Sequence, residues 1–254
     1  NKAEQKGVVT KPQAKEIFSW IEKSQRYSFN KSHSVSYAYN SYLTAYTKKH
    51  FPHEFFTSYL KNSIGKPDAY AEIEELVNNA RVMNIDVRPP NVQKMNKYFT
   101  LIDKNPTFGL TEIKTVGGSV FDKMLGCLQK HQINLDTCSW STFLIFFGLC
   151  IKADSFEAII LSGALDRFNV SRSKMLHELK MFRELSKREV PWLENYKQNH
   201  IDANLVQCIQ AMIDQNDWSD RKRPIFRRDR VEIVESIVDS LNNPGYDLVD
   251  LPGW

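Results

Sequence analysis

The run Phe29-Asn30-Lys31-Ser32-His33-Ser34 sets an amide, an ammonium, an imidazole and two hydroxyls side by side, just ahead of a segment with helical spacing. The first turn of a helix carries N–H groups without intrahelical acceptors and a partial positive charge, so such a run can hold a phosphate. Lys31 would bring a mobile point charge and His33 a donor whose strength follows its protonation. The same residues also compose an ordinary capped helix entry with exposed polar side chains. A second candidate is Lys114-Thr115-Val116-Gly117-Gly118. There, glycines between two helical stretches would let the N–H groups of Val116, Gly117 and Gly118 approach a phosphate, and Lys114 would add charge without reading sequence. A plain helix–helix turn is the alternative. A basic knot from Arg221 to Arg230 holds six cations and one acid, and both a solvated linker and a phosphate contact are open for it.

The elements that must position these residues read as mainly helical. Val35, Ala38, Tyr39, Tyr42, Leu43 and Tyr46 fall at three-and-four spacing, with Ser34 as the expected N-cap and Tyr42 and Tyr46 expected in a core. Pro52 suits the first turn of a helix running to about Leu60. A third helix through Tyr70, Ile73, Leu76, Val77 and Ala80 is entered by Gly65-Lys66-Pro67-Asp68 and left at Asn84. Ile85 to Pro90 is extended by its two prolines, as a connector or edge strand. Tyr98–Ile102 and Thr107–Leu110 flank Asp103-Lys104-Asn105-Pro106 as a short β-hairpin. Beyond it come a short helix near Glu112, a glycine turn at Gly117-Gly118, and helices over 119–129, 140–151, 155–162, 172–188, 203–215 and 230–241. Phe143, Phe146, Phe147 and Cys150 make a core stripe, and 163–172 weakly mirrors the first hairpin.

Charge and cysteine usage narrow the classes. Residues 1–66 carry 11 Lys and Arg against 4 Asp and Glu, an anion-seeking balance, whereas 67–112 carry 7 acids and 5 bases. Cys127, Cys138, Cys150 and Cys208 form no C-x-x-C pair and lie mostly among apolar residues, which favours reduced thiols and a cytoplasmic setting over a disulfide frame. His50 and His53, with Pro52 between them, lack partners that would make a zinc site. No apolar run is long enough to span a membrane. The termini, without an initiator Met at Asn1 and with Asp250-Leu251-Pro252-Gly253-Trp254 at the end, look like cuts within a longer polypeptide.

Ser24 to Tyr39, around F-N-K-S-H-S, resembles the alpha subunit of bacterial DNA polymerase III, the C-family replicase. Ser41-Tyr42-Leu43-Thr44-Ala45-Tyr46, Lys49 to Phe55, Asn84 to Val92, Phe108 to Gly117 and Leu161 to Asp166 look like further motifs of that family, in the same order. The sequence departs from the family at Arg26, Ser28 and Thr115, where glycines are common, as a divergent phage or mobile-element form would. The resemblance implies a fingers segment over 1–97, a helix-hairpin-helix DNA-binding region over 98–186 and a helical tail over 187–254. It implies nucleotide-side contacts by Asn30, Lys31, Ser32, His33 and Ser34, and DNA contacts by Lys114, Val116, Gly117, Gly118 and Arg172. Primer-template DNA, a deoxynucleoside triphosphate and the remaining polymerase domains are the implied partners, with the sliding clamp a further candidate.

Nucleotidyl transfer needs divalent metals held by carboxylates. The family supplies them, with Mg2+, from a palm domain carrying Asp-x-Asp. The nearest run here, Asp214-Gln215-Asn216-Asp217, has the wrong spacing, and Glu72 with Glu75 reads as a solvated helix face. No catalytic residue and no cofactor are therefore expected in this chain. A non-catalytic DNA-binding or scaffold protein built from the same modules is the competing expectation.

Overall fold

The structure, a computed structural model, describes residues 2–27, 31–220 and 226–244, with the side chains of 3, 4, 26 and 27 left aside. Ser28, Phe29, Asn30, the Arg221–Ile225 part of the basic knot and the last ten residues lie outside the described residues. The chain divides into two compact units, residues 1–52 and 53–254.

The first unit holds α1 (Lys2–Gln5), α2 (Lys11–Tyr27) and α3 (Lys31–His50). Ala14, Ile17, Phe18 and Ile21 give α2 a three-and-four stripe, and its start is encoded as well. The N–H and hydroxyl of Thr10 both donate to Gln13 Oε1 at 2.9 Å, and Pro12 sits in the first turn, where its missing N–H costs nothing. Two expectations for α3 fail. It begins at Lys31 rather than after Ser34, because polar residues of adequate helix propensity extend it a turn upstream of the first apolar one. No described residue of α3 is buried, and Tyr42 and Tyr46 are 63% and 46% exposed. The stripe does share one face, but three of its six residues are tyrosines, whose hydroxyls tolerate water, so the spacing does not by itself make a dry face.

The second unit is helical around one small β-hairpin. α4 (Pro52–Ser63) has Pro52 in its first turn, and α5 (Ala69–Val82) ends where Asn84 turns left-handed at φ 57°. Phe56, Leu60, Leu76, Ala80, Ile85 and Phe99 bury themselves together as a small core. The Ile85–Pro90 connector is extended, and Arg88 bridges Thr107 in parallel. β1 (Thr100–Ile102) pairs antiparallel with β2 (Asn105–Thr107). The turn is tighter than expected: only Asp103 and Lys104 lie in it, at φ 49° and 63°, the primed geometry that matches strand twist. Asn105 and Pro106 belong to β2 instead.

After a one-turn 3-10 helix at Leu110–Glu112 come α6 (Gly118–His131), α7 (Trp140–Phe147), α8 (Ala153–Leu161), α9 (Arg172–Arg183), α10 (Glu189–Asn199), α11 (Leu205–Gln215) and α12 (Val231–Asn242). The expected 172–188 helix ends at Arg183, and α10, which starts at Glu189, was not among the expected helices. The expected 140–151 helix ends at Phe147. Phe143, Phe146 and Phe147 are buried as the stripe requires, and Cys150 is half-buried. A single apolar cluster runs from Val92 to Val238, across both the hairpin region and the tail.

Two buried ionic groups fasten the tail. Glu189, 2% exposed, accepts from Arg230 Nε at 3.0 Å and Nη2 at 2.9 Å, and from the Ser186 N–H at 2.7 Å. Lys197, 1% exposed, donates to the carbonyls of Ile201 and Ala203, and its burial lowers its pKa. Among the described residues no helix is long and apolar enough to cross a membrane.

Candidate nucleic-acid interface

The first candidate run reaches the structure only in part. Lys31, Ser32 and His33 are exposed in the opening turn of α3, and Ser34 is half-buried there. The Ser32 carbonyl accepts from Ser36 Oγ at 2.9 Å, and the His33 ring meets Tyr37 edge-on at 4.4 Å. One turn after another, Tyr42, Tyr46 and His50 stack along α3 at 6.2 and 4.3 Å.

The second candidate is complete. The left-handed residue of its loop is Thr115, at φ 71°, and neither glycine is. This corrects the expected glycine turn: Gly117 has φ −85° and ψ 177°, ordinary N-cap geometry, and Gly118 opens α6. Holding a β-branched residue left-handed costs about 1–3 kcal/mol, and the conformation persists only where its surroundings offset that cost. Val116 is 1% exposed and its N–H already donates to the Ile113 carbonyl at 2.9 Å, so the amides that open the helix are those of Gly117, Gly118 and Ser119. Their N-cap residue, Gly117, has no side chain to cap them. A Cβ on Gly117 would meet nothing within 4 Å, which leaves its face open. Lys114 is exposed one turn away.

Lys97 joins this site although it lies far upstream in sequence. Its Nζ comes within 3.6 Å of where a Gly118 Cβ would stand, over the Phe121 ring at 5.6 Å and 3.5 Å from Asp122 Oδ1. The chain crossing that brings it there depends on Gly109, where a Cβ would collide with the Lys97 carbonyl at 2.4 Å. The Thr111 hydroxyl and N–H hold that same carbonyl, and Glu112 accepts from the Phe99 N–H at 3.3 Å. Burial raises the Glu112 pKa, against these hydrogen bonds. A lysine beside a helix N-terminus adds to the positive end of the dipole, and Asp122 offsets part of that charge.

A second turn of related shape joins α8 to α9. Gly163 is left-handed at φ 81°, a 3-10 turn follows at Asp166–Phe168, and Ser171 caps α9 through the Lys174 N–H. Arg172 points inward: it is 12% exposed and grips Asp166 in a two-pronged ion pair, Nε to Oδ1 at 2.9 Å and Nη2 to Oδ2 at 2.5 Å. The connector ties on here too, through the Val92 N–H to the Ala164 carbonyl at 3.0 Å. In the basic knot, Arg227 pairs with Asp229, Arg228 with Asp220 and Arg230 with Glu189. Among the described residues no group of three or more His, Cys, Asp or Glu is placed to hold a metal ion, and no chemical step is assigned to one here.

A helix-hairpin-helix motif model matches residues 84–175, which contain both turns. DNA polymerase III subunit alpha of Buchnera aphidicola (subsp. Schizaphis graminum) is 35% identical over 181 residues, 68% of this chain and 14% of the relative. The subunit of the same name from Thermus aquaticus is 30% identical over 178 residues, 70% of this chain, and that from Aquifex aeolicus is 41% identical over 167 residues, 64% of this chain. The chain spans about 14% of the length of these relatives. It resembles the helix-hairpin-helix and fingers region of bacterial DNA polymerase III alpha subunits.

Proposed function

We propose that this chain serves as a segment of a replicative DNA-directed DNA polymerase and binds DNA phosphate without reading sequence. The observation that carries the proposal is the α6 entry, where the N-cap is a glycine with no side chain to cap the helix, open to solvent at Gly117, and flanked by Lys97 and Lys114. Backbone amides at a helix N-terminus with lysines beside them suit a phosphate oxygen and are indifferent to the base. Val116 contributes by burying its side chain and fixing the loop, and Arg172 by bracing the second turn through Asp166.

Within the same reading, Asn30, Lys31, Ser32, His33 and Ser34 face the incoming deoxynucleoside triphosphate and primer-template in the fingers. The remaining polymerase domains are the partners that complete the site, with Mg2+ held by a palm. A sliding clamp is a further candidate partner of the assembled enzyme. The test is binding to a labelled primer-template duplex between ~50 and ~200 mM salt, for wild type and Lys114→Glu, since each phosphate neutralised adds about 0.9 to the log–log slope. Steep binding, with a shallower slope in the variant, is the expected result. Binding indifferent to salt, or unchanged by Lys114→Glu, would refute the proposal.

A further inference from the structure

Thr115 adopts a backbone conformation that its branched side chain disfavours, and the loop must be held from outside to keep it there. The start of α8 does so from both sides of the residue. Ser155 Oγ donates to the Thr115 carbonyl at 2.8 Å, and Thr115 Oγ1 donates to the Asp154 carbonyl at 3.3 Å. Ser155 is 3% exposed and cannot drift, because Phe156, Ile159 and Ile160 root the same helix in the core at 0% exposure. On the far side of Thr115, buried Val116 leads directly into the opening amides of α6.

We propose that Ser155 is a positioning residue for phosphate binding: its hydrogen bond holds Thr115 left-handed and so aims the amides of Gly117, Gly118 and Ser119. This inference rests on the phosphate-binding reading above. Together Ser155 and Thr115 supply a backbone shape that a glycine at position 115 would adopt unaided. Without the Ser155 hydroxyl, Thr115 relaxes toward negative φ and rotates the peptides that follow. The binding-competent fraction falls, and apparent affinity falls in proportion.

The experiment compares wild type, Ser155→Ala, Thr115→Gly and the double variant, all well below their melting temperatures. Two readouts are taken: the amide signals of Gly117 and Gly118 in proton–nitrogen spectra, and the dissociation constant for a primer-template duplex. Ser155→Ala should move both glycine signals and weaken binding about fivefold to tenfold, as expected when a strained conformer loses its support. The double variant should return both signals and bring affinity within about threefold of wild type, because glycine tolerates the conformation. A merely structural serine would lower the melting temperature, leave the folded protein's affinity intact and show no rescue by glycine. Unchanged signals and affinity in Ser155→Ala, or a double variant no better than Ser155→Ala, would overturn the positioning role alone. Wild-type protein that binds no duplex would overturn the phosphate reading itself and this one with it.

Discussion

Replacing Gly117 by Asp separates ligand binding from folding by driving the two in opposite directions. Gly117 already has the extended φ and ψ of an N-cap, −85° and 177°, and a side chain there meets open space. Aspartate can therefore accept from the α6 amides without moving the backbone. The gain over glycine is a few tenths of a kcal/mol from capping plus a similar dipole contribution, about 0.5–1 kcal/mol together. For a unit of this size that raises the melting temperature by roughly 1–4 °C. The same carboxylate occupies the phosphate position with like charge, and at this exposed site repulsion of about 1–2 kcal/mol weakens DNA binding roughly fivefold to thirtyfold. Thermal melts and fluorescence anisotropy at ~100 mM salt measure the two effects. Improved stability with wild-type DNA affinity would show that α6 does not point its N-terminus at phosphate, and lowered stability would show that the backbone there is not ready to be capped.

Two further outcomes follow from buried groups. Arg230→Met leaves Glu189 charged and nearly inaccessible without its two-pronged partner, and should cost about 3–5 kcal/mol in a denaturant titration, whereas Arg227→Ala and Arg228→Ala, at exposed pairs, should each stay within about 0.5 kcal/mol. An Arg230 variant as stable as those two would refute the assignment of Arg230 to the core rather than to DNA. Burial, reinforced by neighbouring Cys150, pushes the Cys127 thiol from its unfolded value of 9.0 up to about 12. The folded state then holds a proton that the unfolded state releases, so this contribution is complete below pH 9 and is lost as pH rises toward 12. Melts from pH 8 to 11 should fall less steeply for Cys127→Ala, and equal slopes would count against that burial.

Much of the helical architecture was legible from spacing, and most of the exceptions have physical causes. α5, α8 and α11 carry their apolar residues on one face, and their bounds fall close to where periodicity and caps place them. α2 was overlooked although both a Thr10–Gln13 cap and a stripe of Ala14, Ile17, Phe18 and Ile21 mark it. α3 misled because tyrosines at helical spacing look like a core seam whether or not anything covers them. At the candidate interface, Lys114 and the glycine pair could be named from a local pattern. Lys97 could not, since it reaches α6 only by the crossing over Gly109, and Ser155 could not, since its role exists only once Thr115 is seen to be left-handed. The inward turn of Arg172 was equally hidden, because sequence gives a cation but not the carboxylate that claims it.

The burial of α7 on nearly every side, with seven of its eight residues inaccessible, dictates an order of events during synthesis. Its phenylalanines emerge from the ribosome before α9, α10 and the later helices that complete the surrounding core. Until those arrive, the nascent chain presents Phe143, Phe146 and Phe147 to solvent as a sticky, unfinished surface. A gene trimmed at residue 186, after both hairpin turns, would make that condition permanent, and the product should precipitate unless a chaperone or a co-expressed 187–254 segment shelters it. For expression work, the hairpins and the helices that follow them are one purchase.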